Sequence, residues 1–189
     1  MFVLRQPDEK MIRQFISSQR DLPFSYPEVG ATRKEPPAGY TIDHNRIRLG
    51  EGRGTFLRAS DALSKWRHFE LGWASVVPPG SPMQTGTTVA VQAHTFGFWS
   101  LNACRIVYTI NEDGPAKKFG FAYGTLPDHA ERGEERFTIE QLDDNSVWYD
   151  ILAFSRPQHR LVKLGLALGR RLQKRFARES LAVMLRLSS

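Results

Sequence analysis

Two carboxylates on predicted strands, Glu135 and Asp150, could supply acid–base chemistry if both side chains face the interior. Glu135 alternates with Phe137 and Ile139, so a strand places the acid on the same face as these two apolar residues. An inward carboxylate needs a partner because burying an unpaired charge is costly, and Arg105 on an earlier strand is a candidate counter-ion. Two carboxylates and a cation in one cavity could move protons to and from a substrate.

The same residues also fit a purely structural role, which is the interpretation we favour. Glu135 would then close the sheet through a salt bridge, or would flank the end of a strand together with Arg136. His94 adds an imidazole on another alternating strand, whereas His129 follows a Pro-Asp turn and is predicted to be solvated. No catalytic residue is assigned from the sequence.

The hairpin that carries Glu135 is predicted to have a wet, charged tip. Residues 119–123 and 135–142 should pair as antiparallel strands, joined through residues 126–133. Alternation then leaves only Glu135 pointing inward, while the charged tip is exposed. The tip residues expected to be exposed are Asp128, His129, Glu131 and Arg132.

The sequence shows no grouping of metal ligands. Its five histidines form neither HxH nor HxxxH pairs, and Cys104 is the one cysteine. Apolar neighbours predict that Cys104 is a buried thiol rather than a nucleophile. The acidic run 143–145 lacks the further ligands of a calcium loop and is predicted to be a hairpin turn. We therefore expect neither a metal nor another cofactor.

Aromatic side chains are concentrated on the predicted strands, which favours a cavity for a ligand. A small hydrophobic or amphipathic molecule would contact these rings, with few polar groups to orient it. The alternatives are that the rings fill the core completely, or that the cavity belongs to an enzyme acting on a lipid-like substrate. The candidate ligand-binding residues are Glu135, Asp150, Arg105, Tyr123, Tyr108, Phe121, Trp148 and Phe154.

Positive charge is concentrated near the C-terminus. The net charge is +6, yet residues 156–186 carry nine basic residues against one acid. This segment indicates a second function, binding of nucleic acid or of an anionic surface through a basic helix. Aromatic residues are not interleaved on that face, which disfavours nucleic acid. The candidate anion-binding residues are Arg170, Arg171, Lys174, Arg175 and Arg178.

The N-terminal part predicts a helix and then an extended arm. Residues 8–20 have apolar positions at helical spacing, with acids at the start. Residues 24–38 are rich in proline and glycine and predict an arm without regular structure. A strand at 40–49 and a helix at 55–69 follow. The GEGRG between them is predicted to be a tight turn rather than a phosphate-binding loop, since the lysine of a P-loop is missing.

Beyond residue 70 the apolar pattern has period two, interrupted by turn signals. Sequential strands joined by short turns form an antiparallel meander. The predicted strands are 72–77, 87–95, 98–110, 118–123, 135–142 and 146–155.

The last element that the sequence predicts is a long helix over residues 158–185. We expect its apolar stripe to be mostly buried, and Arg171, Lys174 and Arg178 to be exposed. An antiparallel sheet needs its concave face covered, and an amphipathic helix laid across it does this. The predicted class is therefore α+β, with a curved antiparallel sheet wrapped on a long C-terminal helix. The stripe comprises Leu161, Leu164, Leu168, Leu172 and Phe176.

Four motifs carry a family resemblance: SYPEVGAT, LGEGRGTFLRASDAL, GFAYGTLPDHAERGEERF and DILAFSRPQHRL. Together and in this order they resemble an uncharacterised family of bacterial and plant proteins, domain of unknown function nineteen-ninety. The order of elements is similar to the helix-grip fold of the START and birch-pollen-allergen-like proteins. The resemblance implies a single-domain protein and no established activity.

Length and composition agree with one globular domain. The chain has 189 residues, of which 41% are hydrophobic, enough for one substantial core. We expect residues 39–189 to form that domain and residues 1–38 to pack on it. No apolar run approaches the length of a membrane span, so a cytoplasmic location is expected.

Overall fold

The computed structural model describes residues 1–114, 116–158 and 166–189. Within them the chain forms eight strands, three α-helices and two short 3₁₀ turns. The strands are β1 (Phe2–Val3), β2 (Thr41–Glu51), β3 (Ala74–Val77), β4 (Thr88–Thr95), β5 (Phe98–Asp113), β6 (Lys117–Thr125), β7 (Glu131–Gln141) and β8 (Ser146–Pro157). The helices are α1 (Glu9–Gln19), α2 (Gly52–Ser64) and α3 (Leu166–Ser188), and the 3₁₀ turns are Ala31–Arg33 and Arg67–Phe69.

The strands form a single antiparallel sheet. Their order is β2-β8-β7-β6-β5-β4-β3, with β1 paired to β5. The meander from β3 to β8 is extended by β2, which returns to pair with the last strand. All six strands predicted beyond residue 70 are present, and the α+β class is confirmed.

One face of the sheet, here the inner face, packs against α2 and α3. Helix α2 contributes Ala59, Ala62 and Leu63 to this core, and the C-terminal half of α3 contributes Met184. Phe137 on β7 is fully buried among them. The helix-grip arrangement predicted from the sequence is therefore present.

The opposite, outer face is covered by α1 and by the arm of residues 24–38. Phe15 and Ile16 of α1 pack on Leu101 and Ala103 of β5. The arm is tied to β6 where the backbone N–H of Ser25 donates to the Thr125 carbonyl oxygen at 2.9 Å. Both faces of this sheet are thus protected from water over much of their area.

Local sequence signals set the helix boundaries. Helix α1 begins after Asp8, whose carboxylate accepts from the Met11 N–H at 2.8 Å. Helix α2 follows β2 directly, and Gly50 and Gly52 adopt positive φ of 145° and 79°. The tight strand-to-helix turn predicted at GEGRG is confirmed.

The boundaries of α3 differ from the prediction. Strand β8 continues to Pro157, so the helix does not begin at residue 158, and its first described residue is Leu166. Its end at Ser188 lies three residues beyond the predicted Leu185. Among the described residues, no helix combines the length and apolar character needed to cross a membrane.

Candidate functional site

A cavity of about 780 Å³ lies between the inner face of the sheet and the N-terminal half of α3. All eight strands of the sheet contribute to its wall, and the 3₁₀ turn at Arg67–Phe69 contributes Phe69. Most of the wall is apolar. The apolar and aromatic lining includes Phe2, Phe69, Trp73, Val91, Phe96, Phe98, Leu168, Leu172 and Phe176.

The apolar stripe of α3 lines this cavity instead of closing it. Leu168 was expected to be buried but is 40% exposed, and Leu172 is only partly buried. Phe176, one turn further along, is partly buried against the core and contacts Phe69 with ring centroids 4.8 Å apart. The expectation for Leu168 was wrong because the cavity separates the sheet from this part of α3. Leu161 and Leu164 lie outside the described residues.

The polar side of the cavity is a hydrogen-bonded pair on the inner face. Glu135 of β7 lies opposite Tyr123 of β6, and the tyrosine hydroxyl donates to the carboxylate at 2.7 Å. Burial raises the pKa of Glu135 to about 7, although the Tyr123 hydrogen bond opposes the shift and Asp43 adds to it. Burial also raises the pKa of Tyr123 well above 10, so its hydroxyl stays protonated. The inward orientation predicted for Glu135 is confirmed.

The predicted partner of Glu135 was wrong. The guanidinium of Arg105 lies at the end of α1, where it donates to the carbonyl oxygens of Gln19 at 3.1 Å and Leu22 at 2.9 Å. A third bond reaches the carbonyl oxygen of Arg20. Arg105 therefore caps a helix C-terminus, where a positive charge is favourable, and does not face the cavity.

The structure separates the other predicted ligand-binding residues. Phe121 is fully buried in the core on the inner face. Asp150 lies on the outer face, where it contacts His44 Nε2 at 2.6 Å and Arg136 Nη2 at 3.2 Å. Trp148, on the same face of β8, lies under the guanidinium of Arg46. Of this group, none reaches the cavity.

Tyr108 and Phe154 meet the N-terminal arm. The hydroxyl of Tyr108 lies 2.7 Å from Thr32 Oγ1 in the arm. Phe154 borders the cavity, but its ring packs edge-on against the rings of Tyr26 and Tyr40. Two of the eight candidates, Tyr123 and Glu135, therefore present polar groups toward the cavity.

Glu134, on the outer face, is the buried carboxylate that the sequence interpretation missed. It is 2% exposed and accepts hydrogen bonds from the Tyr26 hydroxyl at 2.7 Å, the Gly30 N–H at 2.7 Å and the Thr32 N–H at 3.0 Å. The Thr32 hydroxyl donates as well. The expectation that only Glu135 points inward was wrong, because the arm buries the outer face.

The sequence did contain a signal for this contact. A Cβ built on Gly124 would lie 2.1 Å from the Tyr26 hydroxyl oxygen, so the glycine leaves the space that the tyrosine fills. Burial and Glu134 together raise the pKa of Tyr26 well above its usual range, so it remains a donor. This contact brings together two of the family motifs, SYPEVGAT and GFAYGTLPDHAERGEERF.

The predicted wet tip of the β6–β7 hairpin is partly a cavity wall. Asp128 is exposed as expected, but His129 and Glu131 are partly buried and line the cavity, and Arg132 is partly buried. The Glu131 N–H donates to His129 Nδ1 at 2.9 Å, and burial lowers the pKa of His129 to about 4. Burial raises the pKa of Glu131. The hairpin tip is shorter than expected because β7 begins at Glu131.

Three of the five predicted anion-binding residues lie within salt-bridge distance of a carboxylate. Arg170 forms a bidentate ion pair with Asp43, in which Nη2 lies 2.7 Å from Oδ1. Arg175 Nε donates to Glu179 at 2.8 Å and its guanidinium lies over the Trp73 ring. Arg178 Nη2 lies 3.7 Å from Glu179 Oε1. Arg171, Lys174 and Arg178 are exposed as predicted.

Neither His94 nor Cys104 lines the cavity. His94 is exposed and stacks on Trp99 with centroids 4.5 Å apart. Within residues 1–114, 116–158 and 166–189, no three histidine, cysteine or acidic side chains are placed to hold a metal ion. Cys104 is fully buried, and burial raises the pKa of its thiol.

Residues 25–183 match a family described as a domain of unknown function, DUF1990. The chain is 35% identical over 206 aligned positions to a UPF0548 protein of Dictyostelium discoideum, covering 98% of this chain and 95% of that one. It is 36% identical to a UPF0548 protein of Arabidopsis thaliana, covering 78% and 73%. A UPF0548 protein of Deinococcus radiodurans is 34% identical, covering 82% and 83%.

Among solved structures, the chain is similar to the hypothetical protein jhp0584 from Helicobacter pylori. The TM-score is 0.55 at 11% identity, covering 87% of this chain and 95% of that one. This likeness concerns the fold alone. Looser likenesses are to Ara h 8.0201, with a TM-score of 0.46 at 11% identity covering 78% and 99%, and to human STARD10, with 0.40 at 9% covering 94% and 81%.

Proposed function

This chain belongs to the DUF1990 domain family, whose function is unknown, and we propose that it binds a small hydrophobic or amphipathic molecule between its sheet and α3. The observation that carries the proposal is the cavity. Its volume of about 780 Å³ falls within the range of small-molecule sites, roughly 300–1,000 Å³. Apolar side chains dominate the wall, as such sites require.

Leu168 supports the same proposal. A leucine that stays 40% exposed in the cavity leaves apolar surface in contact with water, which is unfavourable in the unliganded protein. An apolar ligand would remove that surface from water at roughly 25 cal/mol per Å² buried. The exposed stripe of α3 is thus a binding surface rather than a packing defect.

The hydrogen-bonded pair of Tyr123 and Glu135 predicts that the polar end of a ligand lies against β6 and β7. Glu135, with a pKa of about 7, can donate a hydrogen bond when protonated and accept one when ionised. A hydroxyl group of the ligand would suit both states, whereas a ligand carboxylate would be repelled above pH 7. We therefore propose an amphipathic ligand whose polar end is a hydroxyl or an amine.

Fluorescence titration with a small apolar dye tests this function. Ala93 of β4 lines the cavity, and Ala93→Phe places a ring in it. We expect the variant to bind the dye about tenfold more weakly than the wild type. Ala116→Phe, at a position that does not line the cavity, should bind like the wild type. Equal dye binding by the wild type and both variants would exclude the cavity as the dye-binding site.

A second candidate function follows from the same carboxylate. A general acid or base works best when its pKa lies near the working pH, and Glu135 meets this condition. A cavity enzyme acting on a lipid-like substrate would therefore use Glu135 at the reacting atom. Turnover of a bound molecule, lost in Glu135→Gln while the molecule still binds, would distinguish it from the binding function.

A further inference from the structure

Arg132 of β7 and Arg156 of β8 are directly opposed across the sheet. Directly opposite residues on antiparallel strands have Cβ atoms about 4.5–5.5 Å apart, and like charges there destabilise the pairing. Both arginines lie on the outer face, where the Arg156 guanidinium is 4.4 Å from the Tyr40 ring centroid. The cavity lies on the other face.

Arg132 and Arg156 differ from other arginines in having no carboxylate partner among the described residues. Other arginines near the pair are matched, Arg136 with Asp150 and Arg170 with Asp43. In the part of the chain that the structure describes, neither Arg132 nor Arg156 forms an ion pair. The sequence from residue 157 to residue 178 contains no aspartate or glutamate, so the following segment has no acid to contribute.

Most hydrogen-bond donors of the two guanidiniums are unused among the described residues. Arg132 Nη2 donates to the Gln158 carbonyl oxygen at 3.1 Å. The Nε atoms of Arg132 and Arg156 are both buried without a hydrogen-bond partner there. A buried donor left without an acceptor is destabilising, so the site favours a ligand that supplies acceptors.

The carboxylate of Glu28 is engaged with Tyr40. Glu28 of the arm accepts from the Tyr40 hydroxyl at 2.6 Å. Burial and this hydrogen bond raise the pKa of Tyr40 to about 12, while the charges of Arg156 and Arg132 act in the opposite direction. Both guanidiniums therefore lie close enough to act on the Tyr40 hydroxyl, which keeps its proton and remains a donor toward Glu28.

We propose that Arg132 and Arg156 form a binding site for a phosphate group on the outer face of the sheet. Guanidinium forks match the oxygens of phosphate in two-pronged hydrogen bonds. A phosphate dianion would neutralise both charges and accept hydrogen bonds from Nη–H groups of the two guanidiniums. This site is separate from the cavity, so it stands whether or not the cavity binds a ligand.

Calorimetric titration with inorganic phosphate, at constant ionic strength maintained with chloride, tests the site. We expect Arg132→Gln and Arg156→Gln each to weaken phosphate binding about tenfold or more, as loss of a charged hydrogen-bond donor does. Arg156→Lys keeps the charge without the fork and should give an intermediate loss. Arg5→Gln, at an exposed position before α1, should bind phosphate like the wild type.

Thermal unfolding separates a binding role from a purely structural one. Without phosphate, each Gln variant should unfold at the same temperature as the wild type or higher, because the like-charge repulsion is gone. Added phosphate should raise the wild-type midpoint and leave those of the two variants unchanged. A phosphate-induced rise in the midpoint of both Gln variants as large as that of the wild type, or a loss of phosphate binding in Arg5→Gln as large as theirs, would overturn the proposal.

The phosphate could belong to a free solute or to a lipid headgroup, and vesicles distinguish the two. Sedimentation with vesicles of phosphatidylcholine containing phosphatidic acid should require both arginines if a headgroup is bound. Binding of phenyl phosphate without vesicle binding would assign a free phosphorylated solute. Failure to bind phosphate, phenyl phosphate and vesicles alike would contradict the site.

Discussion

The hydroxyl of Tyr123 and the carboxylate of Glu135 lie 2.7 Å apart on neighbouring strands, and both residues border the cavity under α3. The pair adds a buried carboxylate to a wall that is mostly apolar. Because burial raises the pKa of Glu135 to about 7, its charge changes within the physiological pH range.

Glu135 should make the stability of the protein fall as pH rises from about 4.5 to about 7. The folded protein holds the Glu135 proton up to about pH 7, whereas the unfolded chain releases it near 4.5. In that window the folded state binds more protons, so the free energy of unfolding decreases with pH, by on the order of 3 kcal/mol. Denaturant unfolding of wild type and Glu135→Gln across this window measures the difference.

Relative to the wild type, Glu135→Gln should therefore gain stability between pH 4.5 and 7 and hold that gain above it. Glu112→Gln, a matched change at an exposed carboxylate, should show no such trend. A constant difference between Glu135→Gln and the wild type at all pH values would show that Glu135 titrates normally.

Glu134→Gln should destabilise the protein more than Glu135→Gln at pH 7. The carboxylate of Glu134 accepts from Tyr26, Gly30 and Thr32, and an amide cannot accept from all of these donors. We expect a loss of about 2–4 kcal/mol in the free energy of unfolding. Glu35→Gln, at an exposed position in the same arm, should cost less than about 0.5 kcal/mol. A neutral Glu134→Gln would show that the arm is not held through this carboxylate.

Gly124→Ala should detach the arm from β6. The added methyl group would lie 2.1 Å from the Tyr26 hydroxyl oxygen, so the tyrosine has to leave. Limited proteolysis should then cut the variant within residues 24–38 faster than the wild type. Such a result would also support the proposal that residues 1–38 pack on a domain formed by residues 39–189. Equal cleavage rates would contradict the Tyr26–Glu134 attachment.

Core closure by α3 should come from its C-terminal half. Met184 is fully buried, so Met184→Ala should lower the free energy of unfolding by about 2–5 kcal/mol. Leu168→Ala should cost less than about 1 kcal/mol because the side chain faces the cavity. Chemical denaturation of both variants measures this contrast. A larger loss of stability in Leu168→Ala than in Met184→Ala would show that the N-terminal half of α3, not its C-terminal half, closes the core.

Binding of the basic helix to anionic surfaces should be weak. Arg170 and Arg175 are already paired with Asp43 and Glu179, and Arg178 lies 3.7 Å from Glu179. Among the described residues of α3, this leaves Arg171, Lys174 and Arg186 as exposed cations without an ion pair. Any binding to duplex DNA, RNA or anionic vesicles should fall steeply between 50 and 200 mM salt, as phosphate contacts require (roughly 10³-fold for six contacts, less for three). Tight binding that persists at the higher salt would indicate a contact other than these charges.

The fold could be predicted from the sequence because its signals are local. Period-two alternation and turn residues located the strands, and Phe137 and Ile139 fixed the face on which Glu135 lies. Alternation assigns residues to two faces, but does not say what covers each face. Asp150 shares a face with Trp148 as predicted, yet that face is the outer one.

The arm explains most of what the sequence interpretation missed. A segment without periodicity gave no indication of where it would pack, so the burial of Glu134 and of the ring of Phe154 was not foreseen. The partner assigned to Glu135 failed for a similar reason. The end of α1 that Arg105 caps is more than 80 residues away in the chain, and no local pattern links the two.

Native mass spectrometry of freshly purified protein tests the ligand-binding account most directly. The wild type should carry a small molecule of constant mass, removable by an organic solvent. Ala153→Phe, which places a ring beside Glu135 in the cavity, should be folded and free of that molecule. Ala116→Phe should retain it. A bound molecule of the same mass and occupancy in Ala153→Phe, or a wild type that neither carries nor takes up any apolar molecule, would contradict the account.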